Sequence, residues 1–188
     1  MKRKVSTKWL KDHVRDFLCH IGEDPDREGL QETPDRVLAS FSKLFGGYEE
    51  NPAEVIKTFS ADGYEQVVLV KDIELYSTCE HHLLPFFGKA HVAYIPKGRV
   101  IGVSKLARIV EIYSRRLQIQ ERICQQVTNT LMEHLDPVGA ACIIEAQHLC
   151  MMIRGVEKQH SKMVTSSLEG SFRTDPSARS ELMRLIGK

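Results

Sequence analysis

The sequence lacks an excess of charge of either sign. Its 26 lysines and arginines are balanced by 25 acidic residues, which leaves a formal net charge of +1. Proteins that hold nucleic acid or a membrane surface through a broad electrostatic field carry a clear excess of basic residues. We therefore expect neither partner, and a phosphate-bearing ligand would need a local basic cluster.

Long apolar runs are also missing, and we expect no secretory leader. No stretch of about 18 apolar residues occurs, so we expect no membrane span. The basic start Met1–Lys4 is not followed by an apolar segment, which argues against a signal peptide. The five cysteines, an odd number, show no spacing typical of a secreted disulfide framework. We expect the cytoplasm, where a cysteine near histidines is more often a metal ligand or a nucleophile.

The pattern of apolar residues divides the 188-residue chain into two regions. Residues 1–60 are predicted to be an N-terminal helical region, with Thr33 as an N-cap before Pro34. From residue 61 to 188, strand-like and helical segments alternate, and sequential strands of this kind favour antiparallel pairing in an α+β domain. The predicted strands cover 66–76, 89–95, 138–154 and 164–172, and the predicted helices begin near Ser104, Ile119 and Pro176.

The segment Cys79-Glu80-His81-His82 is the first candidate for chemistry. On a turn or helix, residues three apart share a face, so Cys79 and His82 could bind one metal ion. In a straight strand, Cys79 and His81 would share a face instead. Because Pro85 follows, we favour a turn, with Cys79 and His82 as ligands and His81 free to act as an acid or base.

A third ligand must come from elsewhere, and His148-Leu149-Cys150 is the best source. A strand would place His148, Cys150 and Arg154 on one face, unless a bulge intervened. Three protein ligands leave a zinc ion one open position for water, which is the pattern of catalytic sites, whereas structural zinc normally has four ligands. The alternative is that Cys150 is an ordinary core residue, which is the commoner state of a cysteine on an apolar strand.

Charged residues provide the remaining candidates. Ser104 is predicted to cap a helix whose first turn carries Lys105 and Arg108, a combination that attracts anions, although a solvated helix face is the simpler reading. Neither common glycine-rich phosphate loop occurs in the sequence. Glu121 is either a surface carboxylate or, if buried, a reader of the N–H donors on a guanine edge.

Taken together, these segments resemble the GTP cyclohydrolase I family over roughly residues 25–187. The matching motifs occur in order and are Ser77–His82, Gly102–Val110, Gln118–Arg122 and His148–Gly155. Thr165-Ser166-Ser167 and Phe172-Arg173 also look like the family. Four motifs in the right order are far more specific than any one of them.

The resemblance implies a reaction and a metal. Family members bind Zn²⁺ through the positions of Cys79, His82 and Cys150, and water activated by the metal attacks C8 of guanine. The position of His81 handles protons at the purine N7, and that of His148 assists opening of the ribose. The carbon C8 leaves as formate, and rearrangement gives dihydroneopterin triphosphate, the first step of folate and pterin biosynthesis.

The resemblance also implies a substrate site and an assembly. Gln120 and Glu121 match the segment that reads guanine, and Ser104 and Lys105 match residues at the ribose and triphosphate. The arginines that match phosphate contacts are Arg108, Arg154 and Arg36. The implied fold is the tunnelling fold, an antiparallel sheet with two helices on one face. Two pentamers stack into a homodecamer with active sites between subunits, so several chains supply the charges that hold the triphosphate.

Two other functions compete with this one. A zinc-dependent nucleobase deaminase would carry H-x-E and P-C-x-x-C motifs, and neither occurs. A non-catalytic nucleotide-binding protein with the same fold would have no need of His81, His148 and an open metal position. We therefore expect a GTP cyclohydrolase.

Overall fold

A computed structural model describes residues 5–187, so the basic segment Met1–Lys4 lies outside the described residues. The chain forms two compact units, one up to Gly46 and one from Gly47 onward. The first unit contains helices α1 (Thr7–His20) and α2 (Thr33–Leu44), which pack on each other. The expected N-terminal helical segment is therefore confirmed.

The two helices of the first unit begin in different ways. The hydroxyl of Ser6 accepts a hydrogen bond from the Trp9 N–H and caps α1. Thr33 was predicted to cap α2, but it is the first helical residue, and Glu32 takes the cap position without a side-chain bond. Pro34 therefore lies within the first turn, where its missing N–H removes no helical bond.

The second unit is built on an antiparallel sheet. Its strands are β1 (Thr58–Ser60), β2 (Val68–Cys79), β3 (Pro85–Ile95), β4 (Arg99–Ile101), β5 (Leu117–Gln118), β6 (Gly139–His148) and β7 (Met163–Gly170). Its helices are α3 (Val103–Ser114), α4 (Gln120–Leu135), α5 (Leu149–Met152), α6 (Ser171–Thr174) and α7 (Pro176–Ile186), and short 3-10 turns span Gly46–Tyr48 and Pro52–Val55. The main sheet has the order β5-β2-β3-β6-β7, and β1 pairs with β4.

Two apolar layers lie on opposite faces of the main sheet. Helices α3 and α4 cover one face, where Leu106, Ile109, Ile123 and Val127 are buried against the strands. Phe172 belongs to a smaller cluster that joins α6 and α7 to the same strands. The expected α+β architecture, an antiparallel sheet with two helices on one face, is confirmed. No helix among residues 5–187 is both long and apolar enough to cross a bilayer.

Strand β6 is shorter than the predicted stretch 138–154. Its last residue, His148, pairs with Phe86, and the chain then turns into the one-turn helix α5. The next residue of β3 is Pro85, which has no N–H to donate to a longer ladder. The prediction that Cys150 and Arg154 continue one strand face with His148 was therefore wrong.

Helix α3 begins earlier than predicted. Gly102 occupies its cap position, and the N–H of Gly102 is held by the carbonyl of Lys57. The helix then continues from Val103, so that Ser104 lies in its first turn and is exposed. The prediction that Ser104 caps α3 was wrong. The last predicted strand was also too long, because β7 ends at Gly170.

Candidate active site

The Cys-Glu-His-His motif lies on a tight turn between β2 and β3. Cys79 is the last residue of β2, and its N–H donates to the Leu84 carbonyl over 2.9 Å. The Cys79 carbonyl in turn accepts from the N–H of Leu83 over 2.9 Å, and Leu83 adopts a left-handed backbone with φ of 54°. The expected turn is present, and backbone bonds within the motif and its flanks define its shape.

The three predicted metal ligands lie together at this turn. Ligand atoms of Cys79, His82 and Cys150 all lie within 4.8 Å of one another, and the described residues contain no other such group of three or more. The Cys79 Sγ is 3.9 Å from His82 Nδ1. Zinc bonds of about 2.3 Å to sulfur and 2.0 Å to nitrogen would hold these atoms about 3.6 Å apart at a tetrahedral angle. The donor set and its spacing therefore fit a metal ion.

His81 is the other histidine near the Cys79 thiol. Its Nδ1 lies 3.7 Å from the Cys79 Sγ, about as close as the Nδ1 of His82. His81 does not belong to the three-residue group that includes Cys150, and its side chain is exposed. Both histidines of the turn therefore lie near the Cys79 thiol, and among the described residues His82 is the one grouped with Cys79 and Cys150.

Burial and neighbouring groups shift the pKa of the Cys150 thiol. Burial raises the pKa of its thiol, and the neighbouring Cys79 sulfur raises it further because two thiolates would repel each other. Arg154 opposes this rise, and its guanidinium donates to the Cys150 carbonyl over 3.2 Å. A bound cation would favour both thiolates, so this pair of sulfurs is suited to a metal rather than to ionisation on its own.

Strand β5 and the start of α4 form the wall beside the turn. Gln118 pairs with Cys79 in a short parallel bridge, and its carbonyl accepts from the Glu80 N–H over 3.0 Å. The Glu80 carboxylate binds Arg122 through two hydrogen bonds, of 2.6 and 3.1 Å. This guanidinium holds the pKa of Glu80 below its usual range. The pair joins the turn that carries Cys79 and His82 to the turn of α4 that carries Glu121.

His148 lies on the opposite side, at the end of β6. Its ring stacks on the buried Phe86 ring, with centroids 4.5 Å apart and planes inclined by 3°. Its Nε2 lies 2.9 Å from Gln120 Oε1. Burial lowers the pKa of His148, and the Glu121 carboxylate partly opposes that shift.

The side chain of Gln120 is fully buried beneath the site. Its Nε2 lies 2.9 Å from the Ile144 carbonyl and 3.0 Å from both the Met163 carbonyl and the Thr165 hydroxyl. Strands β6 and β7 therefore hold the amide in place. Because the side-chain amide is already bonded to these strands, the part of Gln120 that stays available to a substrate is its main chain, in the first turn of α4.

A cleft of about 250 Å³ unites these groups. Its lining consists of Cys79, His81, His82, Gln118, Ile119, Gln120, Glu121, His148, Cys150 and Met163. Glu121 lines it with an exposed carboxylate, and Gln120 and both catalytic histidine candidates are also present. The cleft thus gathers the predicted metal, proton-transfer and guanine-reading residues.

The predicted phosphate-binding residues lie outside this cleft. Ser104, Lys105 and Arg108 are on α3 and do not line it, and Arg154 adjoins it only through the Cys150 carbonyl. Arg36 belongs to the first unit and pairs with Glu32 over 2.5 Å. Within residues 47–187, the cleft therefore brings together metal-ligand and base-reading candidates but none of the predicted phosphate-binding residues.

Sequence reasoning missed two supports of the site. The stacking of Phe86 on His148 had no local signal, because the two residues meet only through the β3–β6 register. The Glu80–Arg122 pair joins two motifs that had been read separately. The available clue was an acidic residue in one motif and a basic residue in the other. Glu80 directly follows the candidate ligand Cys79, and Arg122 directly follows the candidate guanine-binding residue Glu121.

Comparison with known proteins gives a consistent result. The family described as GTP cyclohydrolase I matches residues 10–187. A GTP cyclohydrolase 1 of Caldanaerobacter subterraneus subsp. tengcongensis is 56% identical over 178 residues, 94% of this chain and 95% of the relative. Proteins of the same name are 54% identical in Chlorobium chlorochromatii, over 95% of this chain and 81% of the relative, and 55% identical in Thermobifida fusca, over 94% and 86%.

Proposed function

The chain belongs to the GTP cyclohydrolase I family, and we propose that it opens the guanine imidazole ring of GTP at C8 with zinc. The carbon C8 is released as formate, and the remainder rearranges to 7,8-dihydroneopterin triphosphate. The observation that carries this proposal is the convergence of Cys79, His82 and Cys150 in one cleft with His81 and His148. Such a cleft combines metal ligands with two imidazoles able to transfer protons.

Zinc is the proposed metal because two thiolates and an imidazole are ligands that it favours. Cys79, His82 and Cys150 would hold it. When bound there, zinc supplies Lewis-acid chemistry that lets water act as a nucleophile near neutral pH. Arg154 adds positive charge close to Cys150 and thereby assists the thiolate form of this ligand.

The two remaining histidines have separate proposed roles. His81 lies on the exposed side of the turn, near the ligands, and would transfer protons at N7 of the purine. His148 is held in place by Phe86 and Gln120, so it is suited to transfer a proton during opening of the ribose. Ser104 is proposed to assist at the ribose from a second subunit.

The start of α4 is the proposed guanine-binding segment. The Glu121 carboxylate faces the cleft and can accept from the N–H donors of guanine. A helix leaves its first N–H groups without helical partners, so the main chain of Gln120 can donate to a guanine acceptor. Together these groups distinguish guanine from adenine, which presents the opposite donor and acceptor pattern.

The triphosphate requires a second copy of the chain. Lys105 and Arg108 do not line the cleft of their own chain, and they are proposed to reach the cleft of a neighbour, with Arg154 and Arg36 as further phosphate contacts. A homodecamer of two pentamers with sites between subunits would assemble these cations. We also propose a cytoplasmic location, because the Cys79 and Cys150 thiols must stay reduced to bind metal.

The deciding experiment incubates the purified, zinc-loaded protein with GTP. It follows formate release and the fluorescent pterin that forms after oxidation, with ATP as the control substrate. Formate and pterin from GTP alone are the expected result. Absence of pterin, with zinc bound and the oligomer intact, would overturn the proposal, and normal GTP binding under those conditions would favour a non-catalytic nucleotide-binding protein. Release of ammonia without formate would favour a deaminase.

A further inference from the structure

The orientation of the Gln120 amide is determined by its surroundings. Amide oxygen and nitrogen atoms are normally distinguished only through their hydrogen-bond partners. Here one end of the amide lies 2.9 Å from the Ile144 carbonyl and 3.0 Å from the Met163 carbonyl. Main-chain carbonyls only accept, so this end must be the NH₂ group. The reverse orientation would place three oxygens together inside the protein without a proton between them.

The other end of the amide is therefore the oxygen, and it faces His148. The Gln120 Oε1 lies 2.9 Å from His148 Nε2. Because an amide oxygen cannot donate, the ring must carry a proton on Nε2 to form this hydrogen bond. The neutral ring is then the Nε2–H tautomer, and its lone pair lies on Nδ1.

The ring has little freedom to escape this arrangement. Phe86 is fully buried and lies parallel to the imidazole, which fixes the plane of the ring. On the far side of the amide, the Thr165 hydroxyl lies 3.0 Å from Gln120 Nε2 and 3.2 Å from the Cys124 sulfur. Side chains and main chain from α4, β6 and β7 thus hold the amide that holds the ring.

We infer that Gln120 is a positioning residue that fixes the tautomer of His148, so that His148 exchanges protons through Nδ1. This inference rests on the proposed function for the role of His148 in the reaction, but the tautomer itself does not depend on it. The inference adds to the role of Gln120 near guanine, because it concerns the buried side chain and not the main chain. Histidine catalysis depends on which nitrogen is protonated, and the partner of the other nitrogen sets that choice.

Nitrogen NMR tests the tautomer directly. The zinc-loaded protein is labelled with ¹⁵N-histidine, and the His148 signals are assigned by their absence in His148→Asn. At about pH 8.5, some two units above the ordinary imidazole pKa, we expect a protonated Nε2 with a slowly exchanging proton and an unprotonated Nδ1. A proton on Nδ1 instead of Nε2 would overturn the inference, whether or not the protein turns over GTP.

Two variants separate tautomer control from packing. Gln120→Met removes the oxygen that faces His148, and Gln120→Glu retains an acceptor there, while both lose the amide NH₂ group. We expect the Nε2 proton to exchange rapidly in Gln120→Met, with part of the population protonated at Nδ1, and to stay on Nε2 in Gln120→Glu. Equal spectra for His148 in wild type and Gln120→Met would refute a role for the amide oxygen.

Kinetics test whether Gln120 acts through His148. A positioned acid–base group contributes about 10²–10⁴-fold, so Gln120→Met is expected to lower kcat about 10²-fold with a small change in KM. In a His148→Ala background, the same substitution should cause little further loss. An undiminished 10²-fold loss in that background would show that Gln120 acts by another route and would refute its role as a positioning residue.

Discussion

Gly88 provides the sharpest structural test of how the sheet supports the site. It is the fourth residue of β3 and pairs with Ala146 of β6, two positions along the ladder from the pair of Phe86 and His148. A Cβ atom at this position would lie 2.6 Å from the Ala146 Cα and 2.8 Å from its Cβ, and it would overlap the Glu145 carbonyl. The two strands therefore depend on glycine for their close approach.

The expected losses of stability and activity in Gly88→Ala follow from these distances. Ordinary van der Waals contact begins near 3.4 Å, and the Glu145 carbonyl would lie closer to the added Cβ than the Ala146 Cα does. The strands β3 and β6 would therefore have to separate by more than about 0.8 Å. Such overpacking typically costs about 1–3 kcal/mol of stability. A displacement of about 1 Å between catalytic groups can lower the rate about 10²-fold. We therefore expect Gly88→Ala to remain folded but to lose about 10²-fold in kcat/KM.

The assay measures pterin formation, bound zinc and the free energy of unfolding in the same preparations. Gly46→Ala is the matched control, because a Cβ there has no neighbour within 4 Å, and it should retain wild-type values. If Gly88→Ala retained full kcat/KM and full stability, the strands would not need their close approach. The proposed dependence of His148 on the β3–β6 register would then be wrong.

Three further predictions concern single groups. Cys150→Ser should lose zinc and activity together, as measured by metal analysis and pterin formation, and retention of stoichiometric zinc would remove Cys150 from the ligand set. His81→Ala should keep its zinc but lose about 10²-fold or more in kcat, whereas loss of the metal would reassign the ligands of the turn. Burial raises the pKa of Tyr94, whose oxygen accepts from the Ile101 N–H. The folded state therefore favours the neutral phenol, and its contribution to stability is complete below the unfolded pKa of about 10 and is lost as pH rises through the higher folded pKa. Unfolding titrations from about pH 8 to pH 11 should accordingly show a weaker loss of stability in Tyr94→Phe, and parallel curves would exclude Tyr94 as the source.

Local sequence signals were sufficient to predict those features whose shape depends on a single segment of the chain. The turn at Cys79 was predicted from the end of an apolar strand and the nearby Pro85, and the backbone bonds that close it lie within a few residues. The α4 helix ends at Leu135, directly before Asp136-Pro137, and a proline at that point is a local signal for a helix end. The distant pair of Cys79 and Cys150 was also anticipated, because thiols beside histidines are scarce and conspicuous.

Long-range contacts decided the features that the sequence did not reveal. The end of β6 at His148 depends on Pro85 in the neighbouring strand, and the start of α3 depends on a bond between Gly102 and Lys57. The Gln120 amide joins partners 24 and 45 residues away. Such features become visible only when strand register is known, because periodicity within a segment carries no information about its neighbours.

The candidate metal site has two halves, the turn with Cys79 and His82 and the short helix α5 with Cys150. They differ in how far their shape is set before a metal ion binds. The turn that carries Cys79 and His82 is closed by its own backbone and joined to Gln118 and Arg122, so its shape does not rely on a cation. Cys150 lies on a single helical turn of four residues, a length that is marginal without outside contacts. Capture of a metal ion would thus begin at a rigid half-site and finish with adjustment of α5. The entropic cost of binding falls mainly on that short segment, which is where the rate of metal exchange would be set.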